Sequence, residues 1–198
     1  MLDNLIRTRR SIRRYADRPV PRALIEAAIE AATWAPSPHN SQPWRFVVVT
    51  DRERKAELAE AMGRDYRRDM EADGVPPSVV EARLAESRER FRGSPVLIVV
   101  CLCPEGLDEY PDVERRQAEA VMGVQGVAAA IQNLLLAMHS YGLGACWLCA
   151  PLFCPATVKT VLGISQDWSP QALIRAGYPA HDPKPPKRRP IESLVLWR

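Results

Sequence analysis

The chain is decided by Ala35-Pro36-Ser37-Pro38-His39-Asn40-Ser41-Gln42-Pro43-Trp44-Arg45-Phe46, which runs straight into Val47-Val48-Val49-Thr50. The three prolines of this stretch fix φ and remove backbone donors, so it reads as a stiff loop rather than helix. Ser, His, Asn and Gln set side-chain donors and acceptors on that loop. The apolar run from Trp44 to Val49 reads as a strand. A stiff polar loop at a strand end is a common place to hold a ligand. Composition alone allows an equal alternative, a helix-to-strand connector with no function.

Outward from that loop, the elements alternate between helix and strand signals. Asp3 to Arg10 predicts a short amphipathic helix. Pro21 to Trp34 predicts a second, with Leu24, Ile25, Ala28, Ile29 and Ala32 at helical spacing. After the strand, Asp51-Arg52-Glu53 caps a helix over Arg54 to Met62. Gly63, Gly74 and Pro76-Pro77 then punctuate two highly charged helices, Arg64 to Ala72 and Ser78 to Phe91. Residues 64–92 read equally as a lid and as a solvated helix pair.

Val96 to Leu102 predicts a second strand, and Val113 to His139 a long helix. Gly123-x-x-Gly126 and Ala128-Ala129-Ala130 in that helix allow another backbone to approach. Gly142 is placed for a left-handed cap. Short strands follow at Ala145 to Cys149 and Gln171 to Ala176, with a short helix at Pro155 to Leu162 between them. Ile191 to Trp197 is a last apolar segment, expected as a final strand.

The whole chain bounds these readings. Its 198 residues suffice for one cored domain, 1–198. A net charge of +3 is too small to argue for nucleic acid, and the arginines lack interleaved aromatics. Met1 to Arg10 has no apolar core of a signal peptide. Val121 to Met138 is interrupted by Gln125, Gln132 and Asn133 and reads as a buried helix. A cytoplasmic protein is therefore expected. Cys146-x-x-Cys149 lacks the second pair or matched histidines of a zinc site, so reduced thiols are the reading. Gly142-x-Gly144 follows a helix and enters a strand, the reverse of a dinucleotide-binding turn.

Basic residues crowd at both ends. Arg9-Arg10-Ser11-Ile12-Arg13-Arg14-Tyr15 offers donor forks and a hydroxyl suited to an anion; a solvated basic patch is the plainer alternative. With the Pro38-His39-Asn40 loop, Gln132-Asn133-Leu134-Leu135-Leu136-Ala137 with Gly142-Leu143-Gly144, and Pro186-Lys187-Arg188-Arg189-Pro190, this segment resembles the nitroreductase family of FMN-dependent oxidoreductases. The resemblance spans nearly the whole chain.

The resemblance implies an α+β three-layer fold with a central mixed, mostly antiparallel sheet flanked by helices. It also implies an intertwined homodimer with FMN at the subunit interface, in which the C-terminal segment adds to the partner's sheet. By the same match Arg9, Ser11, Lys187 and Arg189 clamp the FMN phosphate, with Arg10 beside them, and Arg13 meets the pyrimidine edge of the flavin. Pro38, His39 and Asn40 contact the ring, Gln42 orients their loop, and Cys149, Ala150 and Pro151 face the reacting edge. The implied reaction is ping-pong, from NAD(P)H through FMN to a nitroaromatic, quinone or enone. It needs no catalytic side chain, because the cofactor carries the chemistry. His39 is the one tempting proton donor. The Trp147 strand and the 186–190 tail also resemble the branch that reduces the dehydro precursor of coenzyme F420. A flavin-binding relative without a hydride substrate and a basic nucleic-acid-binding protein are the remaining alternatives.

Overall fold

The computed structural model describes residues 2–198. Four strands, β1 (Trp44–Val49), β2 (Val96–Leu102), β3 (Gly144–Leu148) and β4 (Ser169–Gly177), form one sheet in the order β1-β2-β4-β3. Every neighbouring pair is antiparallel. The parallel component of the expected mixed sheet is one isolated bridge, Ser11 to Ala145.

Six helices cover the sheet: α1 (Leu2–Thr8), α2 (Arg22–Thr33), α3 (Arg52–Ala72), α4 (Pro77–Arg92), α5 (Val113–Ser140) and α6 (Pro155–Leu162). Strand side chains alternate between faces. Ile98, Val100 and Ile174 on one face pack with Ile25 and Ala28 of α2 and Ile131 and Leu134 of α5. Leu97, Val99 and Leu173 on the other pack with Leu58 and Met62 of α3 and Val158 of α6. This gives the expected three layers. α5 is long and apolar enough to cross a membrane by length and composition, yet Ala130, Ile131, Leu134 and Met138 along it are fully buried in the protein's own core.

Three expectations change. The helix over Arg54 to Met62 does not stop at Gly63; α3 is a single 21-residue helix. A helical glycine costs only about 1 kcal/mol, and the packing of α3 on α4 offsets it. Met70, Val80 and Leu84 bury between the two helices, flanked by Arg67–Glu81 at 2.5 Å and Arg88–Glu60 at 2.6 Å. Residues 64–92 therefore carry a small apolar core of their own.

Second, Ile191–Trp197 is not a strand. A 3-10 turn occupies Ile191–Ser193, and Leu194, Leu196 and Trp197 are exposed. Within one protomer this apolar segment meets no free sheet edge with which to pair. Third, the two α5 glycines serve the chain's own loops. A Cβ on Gly126 would lie 3.4 Å from Pro38 Cδ, and one on Gly123 would lie 3.0 Å from Leu107 Cδ1.

Gly144 has a sharper requirement. A Cβ there would fall 2.5 Å from Ile12 Cγ1 and 2.6 Å from Ile12 Cβ. Ile12 is buried on β3 because its N–H donates to the Ala145 carbonyl at 2.9 Å. The glycine thus lets the Arg9–Tyr15 segment lie flat on the sheet. Gly144→Ala is expected to destabilise the fold by about 1–3 kcal/mol through overpacking. The check is a urea midpoint that falls without a change in slope; an unchanged midpoint would refute the close-approach role.

Candidate functional site

The Arg9–Tyr15 segment runs as an extended arm beside β3 and β4. Ile12 N–H donates to Ala145 O, Ala16 N–H to Tyr178 O at 2.8 Å, and Ala180 N–H to Arg14 O at 3.1 Å. Tyr15 pairs with Pro179 in an isolated antiparallel bridge. Alternation in this extended chain turns Ile12 inward and leaves Ser11 and Arg13 exposed. The same bonds bring the start of the chain to the segment that follows β4.

Arg9 is half-buried there. Its guanidinium is held below its usual value by burial first, and then by the charges of Arg10 and Arg188. The two basic ends therefore meet at Arg9, through Arg188, a residue that the sequence reading passed over in favour of Lys187 and Arg189. Lys187 and Arg189 are exposed on either side of it in irregular chain. Arg10 is turned aside: its Nη1 donates to the Arg7 carbonyl at 2.6 Å and to its own neighbour's, Arg9, at 2.8 Å, which caps the end of α1. Clustered like charges with burial at their centre cost free energy unless an anion joins them.

Beyond the arm opens a cavity of about 560 Å³. Arg13, Leu148, Cys149 and Ala150 line one side, and Asp65, Tyr66, Asp69, Arg90 and Phe91 of the α3–α4 pair the other. The 64–92 segment thus forms a wall of the cavity rather than a detached solvated pair. Phe153 also lines it and is 78% exposed, an aromatic face presented to the opening. Pro151 is buried beneath the turn. Cys154 shares the wall, but burial and the nearby Asp65 and Asp69 push its thiol up to about 11, so it carries little thiolate at neutral pH.

The stiff loop lies elsewhere. Pro38, His39, Asn40 and Gln42 do not line this cavity. They sit over α5, with Pro38 against Gly126. His39, Asn40 and Gln42 adopt φ values of 52°, 55° and 48°. Non-glycine residues in the left-handed region cost about 1–3 kcal/mol each and gather at functional sites. Ser37 organises the turn: its carbonyl accepts from Asn40 N–H and its hydroxyl from Gln42 N–H, at 3.2 and 3.1 Å. His39 Nε2 lies 3.6 Å from both Asp108 Oδ2 and Glu119 Oε1. Glu119 is 2% exposed, and its Oε1 also accepts from the Asp108 N–H at 3.2 Å. Neither acid was singled out in the sequence, since each approaches His39 only in three dimensions.

The Nitroreductase family profile matches residues 6–178. The chain is 35% identical to a Thermus thermophilus protein named NADH dehydrogenase, over 96% of this chain and 92% of that one. A candidate nitroreductase from Desulfovibrio desulfuricans, solved in complex with FMN, superposes with a TM-score of 0.77 at 32% identity, covering 100% of this chain and 96% of that one. A BluB-like flavoprotein from Clostridium difficile shares the fold, with a TM-score of 0.81 at 23% identity over 100% and 99% of the two chains. Fold, cavity and relatives define an α+β oxidoreductase. Within that class, the chain belongs to the nitroreductase family.

Proposed function

We propose that the protein is a homodimeric, FMN-dependent oxidoreductase that passes a hydride from NAD(P)H to a nitroaromatic, quinone or enone acceptor. The observation that carries this reading is the crowding of Arg10 and Arg188 on Arg9, on the same arm whose Arg13 lines the cavity together with the Cys149–Ala150 turn. The residues present fit FMN: a dianionic phosphate answers the crowded guanidinium groups, and the cavity beside them accepts a planar ring.

In this reading Arg9, Ser11, Lys187 and Arg189 hold the phosphate, and Arg188 joins them. Arg10 contributes charge from its capping position. Arg13 places a cation at the pyrimidine edge of the ring, which favours the reduced, more negative form. Cys149, Ala150 and Pro151 form the turn beside the reacting edge. Pro38, His39, Asn40 and Gln42 serve the ring bound in the second subunit, consistent with their placement away from their own cavity. When bound, FMN accepts the hydride from NAD(P)H and returns it to the second substrate in a ping-pong cycle. The chain's own work is to bind, to orient and, through the α3–α4 wall, to exclude water.

The test is direct. Full-length protein purified with FMN should be yellow and release about one flavin per chain on denaturation. Anaerobic NADPH or NADH should bleach it, and an added quinone should restore the colour. Protein that stays colourless after reconstitution would sink the proposal. Bleaching by neither nucleotide, with flavin bound, would leave a flavoprotein served by another reductant. Turnover with dehydro-F420 in place of simple quinones would select the narrower branch.

A further inference from the structure

Arg175 breaks the rules of its position. It lies mid-strand on β4, opposite Leu97 of β2 and Cys146 of β3. It is 1% exposed, and both of those neighbours are buried. An aliphatic side chain would suit this face, which carries Leu97, Val99, Leu173 and Phe91. A guanidinium buried there is costly, and its partners repay little of that cost. Nη1 donates to the Arg90 carbonyl at 3.0 Å and Nη2 to the Arg13 carbonyl at 3.2 Å. Nε is sealed from solvent and has no partner among the described residues. Buried polar groups left partly unanswered are rare and mark sites where something other than stability is served.

The two carbonyls identify what is served. Arg90 lies in the last turn of α4 (Pro77–Arg92), where carbonyls lack helical partners and a cation is favoured. Arg13 lines the cavity from the opposite side. One guanidinium therefore ties the wall helix and the Arg13 backbone to the same point of the sheet. Tyr15 adds to the join: its hydroxyl lies 2.7 Å from the Ile12 carbonyl and 2.8 Å from the Arg175 carbonyl, and donates between them. The Arg13 side chain has by contrast, among the described residues, one weak bond, from Nη1 to the Ser11 carbonyl at 3.4 Å. Its aim is set by its backbone.

We infer that Arg175 is a positioning residue that sets the aim of Arg13 and the closure of the α3–α4 wall together. It lines the back of the cavity at 1% exposure, with both terminal nitrogens turned to the two carbonyls, so it acts through them. The inference rests on the proposed role of Arg13 at the flavin, and its test separates the two. The holoenzyme is prepared as wild type, Arg13→Gln, Arg175→Lys and the double variant, and the midpoint potential of the bound flavin is measured with the steady-state constants.

Arg13→Gln is expected to lower the potential. Arg175→Lys keeps the charge but loses the two-pronged tie, so it too should lower the potential. It should also reduce kcat/KM for the acceptor by about tenfold to a hundredfold, as small misplacements do. The double variant should fall no lower than Arg13→Gln alone, because the two residues act as one device. If Arg13→Gln shifts the potential and Arg175→Lys does not, the positioning role is overturned while the flavin role of Arg13 stands. Additive shifts would likewise overturn it. No shift in Arg13→Gln would overturn both. Should Arg175→Lys fail to fold, Arg175→Met keeps the length and suits the apolar face. A wild-type potential in that variant, or a shift additive with Arg13→Gln, overturns the inference in the same way.

Discussion

Arg9→Ala combined with Lys187→Ala should leave the protein folded and nearly colourless. Each side chain offers a charge-assisted bond to a phosphate, worth about 1.5–3 kcal/mol. Losing both should weaken FMN binding by about 10²- to 10⁴-fold, a range in which micromolar flavin no longer saturates. The fold should not suffer, because removing Arg9 relieves the repulsion it shares with Arg10 and Arg188. The measurement is fluorescence titration of apoprotein with FMN at two salt concentrations. Riboflavin, which has no phosphate, serves as control: its affinity should barely change in the double variant. Unaltered FMN affinity would remove the clamp from the proposal.

In the proposed homodimer, Val121→Glu with Val124→Glu should separate the subunits into monomers that have lost their flavin. Val113, Val121 and Val124 are 54%, 54% and 41% exposed, and their spacing sets them on one face of α5. A two-fold interface presents the same patch from both subunits, so each substitution acts twice. Burying a valine contributes about 1.5–3 kcal/mol, and a carboxylate placed there adds a desolvation cost. The dimer should weaken by well over a hundredfold, read by sedimentation across a concentration series. FMN should leave with the partner, because the Pro38–Gln42 loop lies away from its own chain's cavity. A monomer that keeps its flavin would show that one chain suffices, and a dimer that persists would move the interface off this face.

Much of the fold was legible because short-range physics decides it. β2 falls on Val96–Leu102 and α6 on Pro155–Leu162, as read from an unbroken apolar run and from a proline at a helix start. Gly142 takes φ 75° after α5, the left-handed cap its place in the sequence suggested. Failures came where distant residues decide. The run of α3 through Gly63 depends on Leu84 and Glu81, contacts no local window contains. The Ile191–Trp197 segment is apolar enough for a strand, yet strand formation needs a neighbour. The site shows the same division. Arg9, Ser11 and Arg13 were visible as donors in one short motif. Arg188 beside Arg9, Glu119 beside His39 and Arg175 behind Arg13 became visible only when the chain was folded.

The bridge between Tyr15 and Pro179 has a consequence for biosynthesis. The basic cradle draws on residues near position 9 and near position 188, joined by a sheet whose last strand, β4, ends at Gly177. A ribosome-bound chain halted before that strand emerges owns the arginines of the first arm and β3, but lacks Tyr178, Ala180 and Arg188, which meet that arm in the folded protein. If Arg9 and the 187–189 segment clamp the FMN phosphate as proposed, flavin loading belongs to the period after translation of the sheet, and a chain truncated before residue 187 should bind FMN no better than riboflavin.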